Sequence, residues 1–149
     1  MDIPQKLKNN QRRIGLTGGI ASGKSTITNY IRKNKNIPIL DADNLSRELI
    51  QPNTYGYKKI LEYFGNQIID NKNKSEKAID RKLLRNIIVK NSESKEWIEK
   101  LLHPLIKEKM IEECKKYKNN QTIVLVIPLL FEAKFEDICT EIWLVKCPK

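Results

Sequence analysis

The sequence predicts an α/β fold of three layers: a parallel sheet covered by helices on both sides, with a helical lobe inserted beside it. Three observations lead there. Short apolar runs at 14–16, 37–43, 122–128 and 142–147 read as strands, and stretches of helical period separate them. Strands that alternate with helices run parallel, because the helix is the crossover that returns the chain to the same end of the sheet. The run TIVLVIP, 122–128, is too uniformly apolar to keep one face wet, as expected of a sheet buried on both sides.

Each element has its own signal. The first strand, 14–16, runs into glycines and then a helix over 24–32, with Ile27, Tyr30 and Ile31 on one side. The polar turn KNKN leads to a second strand, IPILDAD, ending in two carboxylates, of which Asp43 can cap the helix carrying Leu45, Leu49 and Ile50. After the turn QPNTYG, residues Tyr57, Ile60, Leu61 and Phe64 recur at helical spacing until Gly65 stops them. A polar loop at 71–77 follows. Asp80 is placed to cap a helix whose Leu83, Leu84, Ile87 and Ile88 share a face. The stripe Trp97, Ile98, Leu101, Leu102 continues through Leu105, Ile106, Met110 and Ile111, but Pro104 interrupts it. A proline inside a helix loses a hydrogen bond and clashes with the preceding turn, so two helices are expected, the second starting at Pro104 with His103 beside its cap. The chain reads as a single domain over 1–149, with 1–12 a mobile extension and about 53–117 the helical lobe on the substrate side.

Composition narrows the class. A chain of 149 residues with 40% hydrophobic and 31% charged residues can bury a real core. The longest apolar run, 123–131, is too short to span a bilayer, and residues 1–13 lack the apolar centre of a signal peptide. Cys114, Cys139 and Cys147 form no C-x-x-C pair and suit reduced thiols in a cytosolic protein. The net charge of +10 invites nucleic acid as a partner. Yet the lysines interleave with Glu and Asp as on solvated helix faces, and no basic groove carries interleaved aromatics, so the pattern speaks against it.

The chemistry concentrates in IGLTGGIASGKST, 14–26. Gly18, Gly23, Lys24 and Ser25 fit G-x-x-x-x-G-K-[ST] between a strand and a helix. Glycine allows positive φ and removes the side chain that would hold phosphates away, so backbone N–H groups converge on them at the positive end of a helix. The nucleotide-binding segment is thus Gly18, Gly19, Ile20, Ala21, Ser22, Gly23, Lys24, Ser25 and Thr26. Lys24 would reach the β- and γ-phosphates, and the Ser25 hydroxyl would ligate Mg2+. Asp41 and Asp43 alternate along the second strand, which puts both on one face where ligands bind in open α/β sheets. Transfer to an alcohol needs a base and acidic help for the metal, roles that Asp43 and Asp41 would fill in that order. Two turn aspartates capping a helix are the competing account.

The segments IGLTGGIASGKST, DADNLSREL, AIDRKLLRNIIV, LLHPLI and VIPLLFE resemble, in order and near spacing, those of dephospho-coenzyme A kinases, from Ile14 to Lys149. The resemblance implies a three-layer P-loop kinase fold with a parallel sheet and a helical substrate lobe. It implies ATP-dependent phosphorylation of the ribose 3′-hydroxyl of dephospho-coenzyme A, the last step of coenzyme A synthesis. Asp43 matches the family's proposed base. Arg47, Arg81 and His103 match positions near the substrate lobe, with surface charge and a tight turn as their plain alternatives. Glu132 follows a strand end and borders the site or neighbours a cap. Ala78 departs from a glycine that many relatives carry before the I-D-R triplet.

Family members continue beyond the LVKCP segment, so an arginine-bearing lid and a last strand are expected to be missing from this chain. Weak ATP binding, poor transfer and lower solubility are expected of residues 1–149 alone. Competing activities are another P-loop metabolite or nucleoside monophosphate kinase, a nucleic-acid ATPase, and an inactive fragment that only binds nucleotide.

Overall fold

The computed structural model describes residues 10–19, 23–34, 36–72, 75–118 and 121–146. Residues Ser46–Ile106 form one compact unit, and the chain on either side of them forms the other. The sequence reading set its helical lobe at about 53–117. No helix among the described residues is long and apolar enough to cross a membrane.

The sheet unit holds β1 (Arg12–Gly18), β2 (Ile39–Asp41), β3 (Thr122–Val126) and β4 (Glu141–Val145). Among the described residues they form one parallel sheet in the order β2-β3-β1-β4. Helix α1 (Lys24–Asn34) follows β1. The alternation of side chains along β1 assigns its two faces. Ile14 and Leu16 pack with Ile31, Val124 and Val126, joined by Ile27 and Ile39. Arg13, Gly15 and Thr17 face the other way. Arg13 donates through Nε to the Ile138 carbonyl at 2.7 Å, and the Thr17 hydroxyl donates to the Pro128 carbonyl at 3.0 Å. Between them Gly15 is held by close approach, since a Cβ there would lie 2.6 Å from Cys139 Sγ and 2.7 Å from Leu130 Cδ1. So the turn segment 128–139 is a lid of side chains over one face of the central strand. Tyr30, expected beside Ile27 and Ile31, is 57% exposed instead.

Residues 1–9 of the expected extension lie outside the described residues. Gln11 is buried, its Nε2 donating to the Cys114 carbonyl at 2.8 Å, and Arg12 already belongs to β1.

The helical unit contains α3 (Tyr55–Phe64), capped by the Thr54 hydroxyl, which accepts from Tyr57 N at 3.2 Å. Helix α4 (Arg81–Lys90) starts at Asp80, whose carboxylate accepts from Leu83 N at 3.1 Å, as the sequence predicts. An antiparallel bridge between Ile69 and Ile79 closes the polar loop between these helices. Ile60, Phe64, Ile68, Ile79, Leu84 and Ile98 form the core, and Trp97 stacks on Tyr63 with centroids 4.0 Å apart.

Pro104 corrects the sequence reading. It lies inside one continuous helix, α5 (Ser92–Lys115), and so does His103. Buried Ile98, Ile106 and Met110 keep one apolar stripe across the proline, so packing outweighs a single lost backbone bond. His103 therefore sits at no helix start and has no capping role.

Candidate active site

In a parallel sheet every strand delivers its C-terminal end to the same edge, and ligands bind there. Strand β1 ends at Gly18, and α1 begins six residues later at Lys24. Gly23 has φ +96°, a conformation only glycine adopts freely, and its carbonyl accepts from Ile27 N at 3.1 Å to close the first helical turn. That first turn carries no acid, so the positive end of α1 is left uncompensated by its own side chains. Lys24 Nζ donates to the Gly18 carbonyl and, at 3.3 Å, to the Gly19 carbonyl. Ser25 and Thr26 are exposed. Ile20, Ala21 and Ser22 lie outside the described residues.

Across from the lysine stands a wall that sequence reasoning largely missed. Thr17, Gly18, Gly19 and Lys24 share a cleft of about 310 Å³ with Pro128, Leu129, Phe131, Glu132 and Leu144. The wall is fixed to the sheet by buried Leu130, by the Thr17–Pro128 bond, and by its own turns. Ala133 N donates to the Leu129 carbonyl and Phe135 N to the Leu130 carbonyl, both at 2.9 Å. Lys107 holds its far end, its ammonium 2.7 Å from Asp137 Oδ1 and 3.1 Å from the Lys134 carbonyl. Leu129 and Phe131 remain 48% exposed. The usable sequence signal is an apolar run continuing past a strand-ending proline, of which Leu130 enters the core and Leu129 and Phe131 do not.

The two aspartates are arranged otherwise than alternation predicts. Strand β2 stops at Asp41, and helix α2 (Ala42–Leu49) starts at once, so Asp43 lies in the first helical turn and not on a strand face. Asp41 is the residue that caps, its Oδ1 accepting from Asp43 N at 2.8 Å. Asp43 is exposed, and among the described residues no hydrogen bond or ion pair engages its carboxylate. Register aligns Asp41 with Val126, and Val126 with Leu16. At the usual strand spacing, Asp41 thus lies roughly 10 Å across the sheet from Leu16, two residues before the end of β1.

The remaining predicted residues belong to the helical unit. Arg47 is exposed in the last turn of α2, Arg81 is half-buried at the first position of α4, and His103 is half-buried within α5. Trp143 is 43% exposed on β4 and donates to Glu141 at 3.2 Å. Cys114 and Cys139 are free thiols, pushed up by burial to about 11 and about 12. Cys147 lies outside the described residues.

Among the described residues no group of three or more His, Cys, Asp or Glu side chains could cage a metal. Mg2+ needs no cage, because it keeps several waters and takes one or two carboxylates together with substrate phosphates. An exposed hydroxyl at Ser25 and the carboxylate of Asp41 fit that sparse demand.

Comparison with known proteins agrees with this geometry. The family model described as dephospho-CoA kinase matches residues 12–149. A dephospho-CoA kinase of Prochlorococcus marinus (strain MIT 9312) is 89% identical over 149 residues, all of this chain and 73% of the relative. Another, from Prochlorococcus marinus subsp. pastoris, is 63% identical over the whole chain and 72% of its own length. Among solved structures, TT1252 from Thermus thermophilus superposes with a TM-score of 0.73 at 26% identity, covering 94% of this chain and 68% of that one. The dephospho-CoA kinase from Campylobacter jejuni superposes with a TM-score of 0.68 at 28% identity, covering 88% and 64%. The chain belongs to the dephospho-CoA kinase family.

Proposed function

We propose that this chain transfers the γ-phosphoryl of ATP to the ribose 3′-hydroxyl of dephospho-coenzyme A, the final step of coenzyme A synthesis, in the cytoplasm. The observation that carries the reading is the shared sheet edge, along which Lys24, Asp41 and Asp43 lie in a chain of this family.

The loop from Gly18 to Thr26 would hold the phosphates through its backbone N–H groups and the N-terminus of α1. Lys24 would leave the carbonyls of Gly18 and Gly19 for the β- and γ-phosphate oxygens, where negative charge grows in the transition state. Asp43, exposed and with its carboxylate unengaged among the described residues, would accept the 3′-hydroxyl proton. The hydroxyl oxygen then bonds to the γ-phosphorus as the bond to the β-bridging oxygen breaks, and ADP leaves. Ser25 and Asp41 would hold Mg2+, which would supply charge neutralisation to the phosphates. Asp41 also fixes Asp43 by accepting its N–H. Arg47, Arg81 and His103 would contact the acceptor from the helical unit.

The test is coupled ADP release with dephospho-coenzyme A against a panel of nucleoside monophosphates. Release with dephospho-coenzyme A alone is expected. Preference for a nucleoside monophosphate would transfer the reading to another P-loop kinase activity.

A further inference from the structure

In P-loop enzymes the metal is shared between the loop hydroxyl and an acid at the end of a neighbouring strand. Here the strand beside β1 supplies none: β3 is TIVLV, and Ile127 and Pro128 follow it. The first acid after β3 is Glu132, and the turn carries it back to the wall of the cleft that Lys24, Gly18 and Gly19 line. This position is not left to chance. The Thr17–Pro128 bond, buried Leu130 seated over Gly15, and the bond from Ala133 N to the Leu129 carbonyl bracket Glu132 on both sides. Electrostatics makes such a residue informative. A carboxylate in a phosphate cleft repels a polyphosphate by Coulomb's law, and it becomes favourable only where a cation stands between the two. Nothing in the packing asks for a charge at this exposed turn position.

We propose that Glu132 is a positioning residue for the divalent cation of the nucleotide, a carboxylate that takes the place of the strand-end acid β3 lacks. The proposal rests on the cleft being the nucleotide site. Mg2+ takes one or two carboxylates and keeps its waters, so Glu132 can act on the metal or on its hydration shell.

The test is calorimetric titration of the full chain with ATP, once with excess Mg2+ and once with a chelator, for wild type, Glu132→Gln and Glu132→Asp. Loss of a carboxylate that orients a metal typically costs about 10- to 100-fold in metal affinity. Glu132→Gln is therefore expected to weaken binding of Mg2+·ATP by about 10-fold or more. It should tighten metal-free ATP severalfold, because a like charge is gone. Glu132→Asp keeps the charge and should keep the wild-type preference for the metal complex. A merely structural residue would move both titrations in the same direction. Equal changes in both, or none in either, overturn the proposal while leaving the nucleotide site standing. No binding by wild type in either condition removes the site itself, and the proposal with it.

Discussion

Lys24 donates to the carbonyls of Gly18 and Gly19, where β1 gives way to the loop. It packs against no core, and its loss should leave the fold intact. Lys24→Ala is expected to retain less than about a tenth of wild-type ADP release, with an unchanged unfolding midpoint. Retention above that level would detach the loop from the chemistry. The thiols have the opposite character. Cys114 and Cys139 stay protonated up to about 11 and about 12 because burial penalises the thiolate, with Arg13 working weakly against it. In the unfolded chain a thiol ionises near pH 8.5. Above that pH the unfolded state has lost protons that the folded state keeps, so stability contributed by burial is complete below about 8.5 and declines as pH rises toward the folded values. Urea midpoints should accordingly fall between pH 8 and pH 10, and the fall should be shallower in Cys139→Ala. An identical slope in that variant would contradict the burial of Cys139 against Gly15 and Leu130.

At the scale of elements, the central strand and the wall of the cleft are one mechanical piece. Gly15→Ala would drive a methyl to 2.6 Å from Cys139 Sγ and 2.7 Å from Leu130 Cδ1. Overpacking of this kind costs about 1–3 kcal/mol. Chemical denaturation should show that loss, together with weaker ATP binding, since the displaced turn carries Leu129, Phe131 and Glu132 into the cleft. Loss of stability without any effect on ATP would separate the turn from the site. Local capping chemistry was readable where one residue decides it, as at Asp80. It misled where two neighbours compete. IPILDAD looks like a strand carrying both carboxylates, but only Ile39–Asp41 is extended, and the helix begins at Ala42. The cap therefore passes from Asp43 to Asp41. Likewise Pro104 looks like a boundary, and the apolar stripe on both sides of it holds α5 straight through.

For the whole molecule, the all-parallel ladder follows from alternating strands and helices, which the sequence displays openly, whereas the order β2-β3-β1-β4 is seen only in the pairing. Of the cleft wall, Glu132 was open to a sequence reading as a residue bordering the site, but Leu129, Phe131 and Leu144 were not, because they are brought to Lys24 only by strand pairing and by the turn after β3. As proposed, this sheet edge would phosphorylate one hydroxyl, with Asp43 as base. The most direct measurement is single-turnover transfer from ATP to dephospho-coenzyme A, with the product located by phosphorus NMR, in wild type and Asp43→Asn. A new 3′-phosphomonoester is expected, formed about 10²–10⁴-fold more slowly by Asp43→Asn at unchanged ATP affinity. Phosphate on another group, or an Asp43→Asn enzyme that transfers at the wild-type rate, would contradict it.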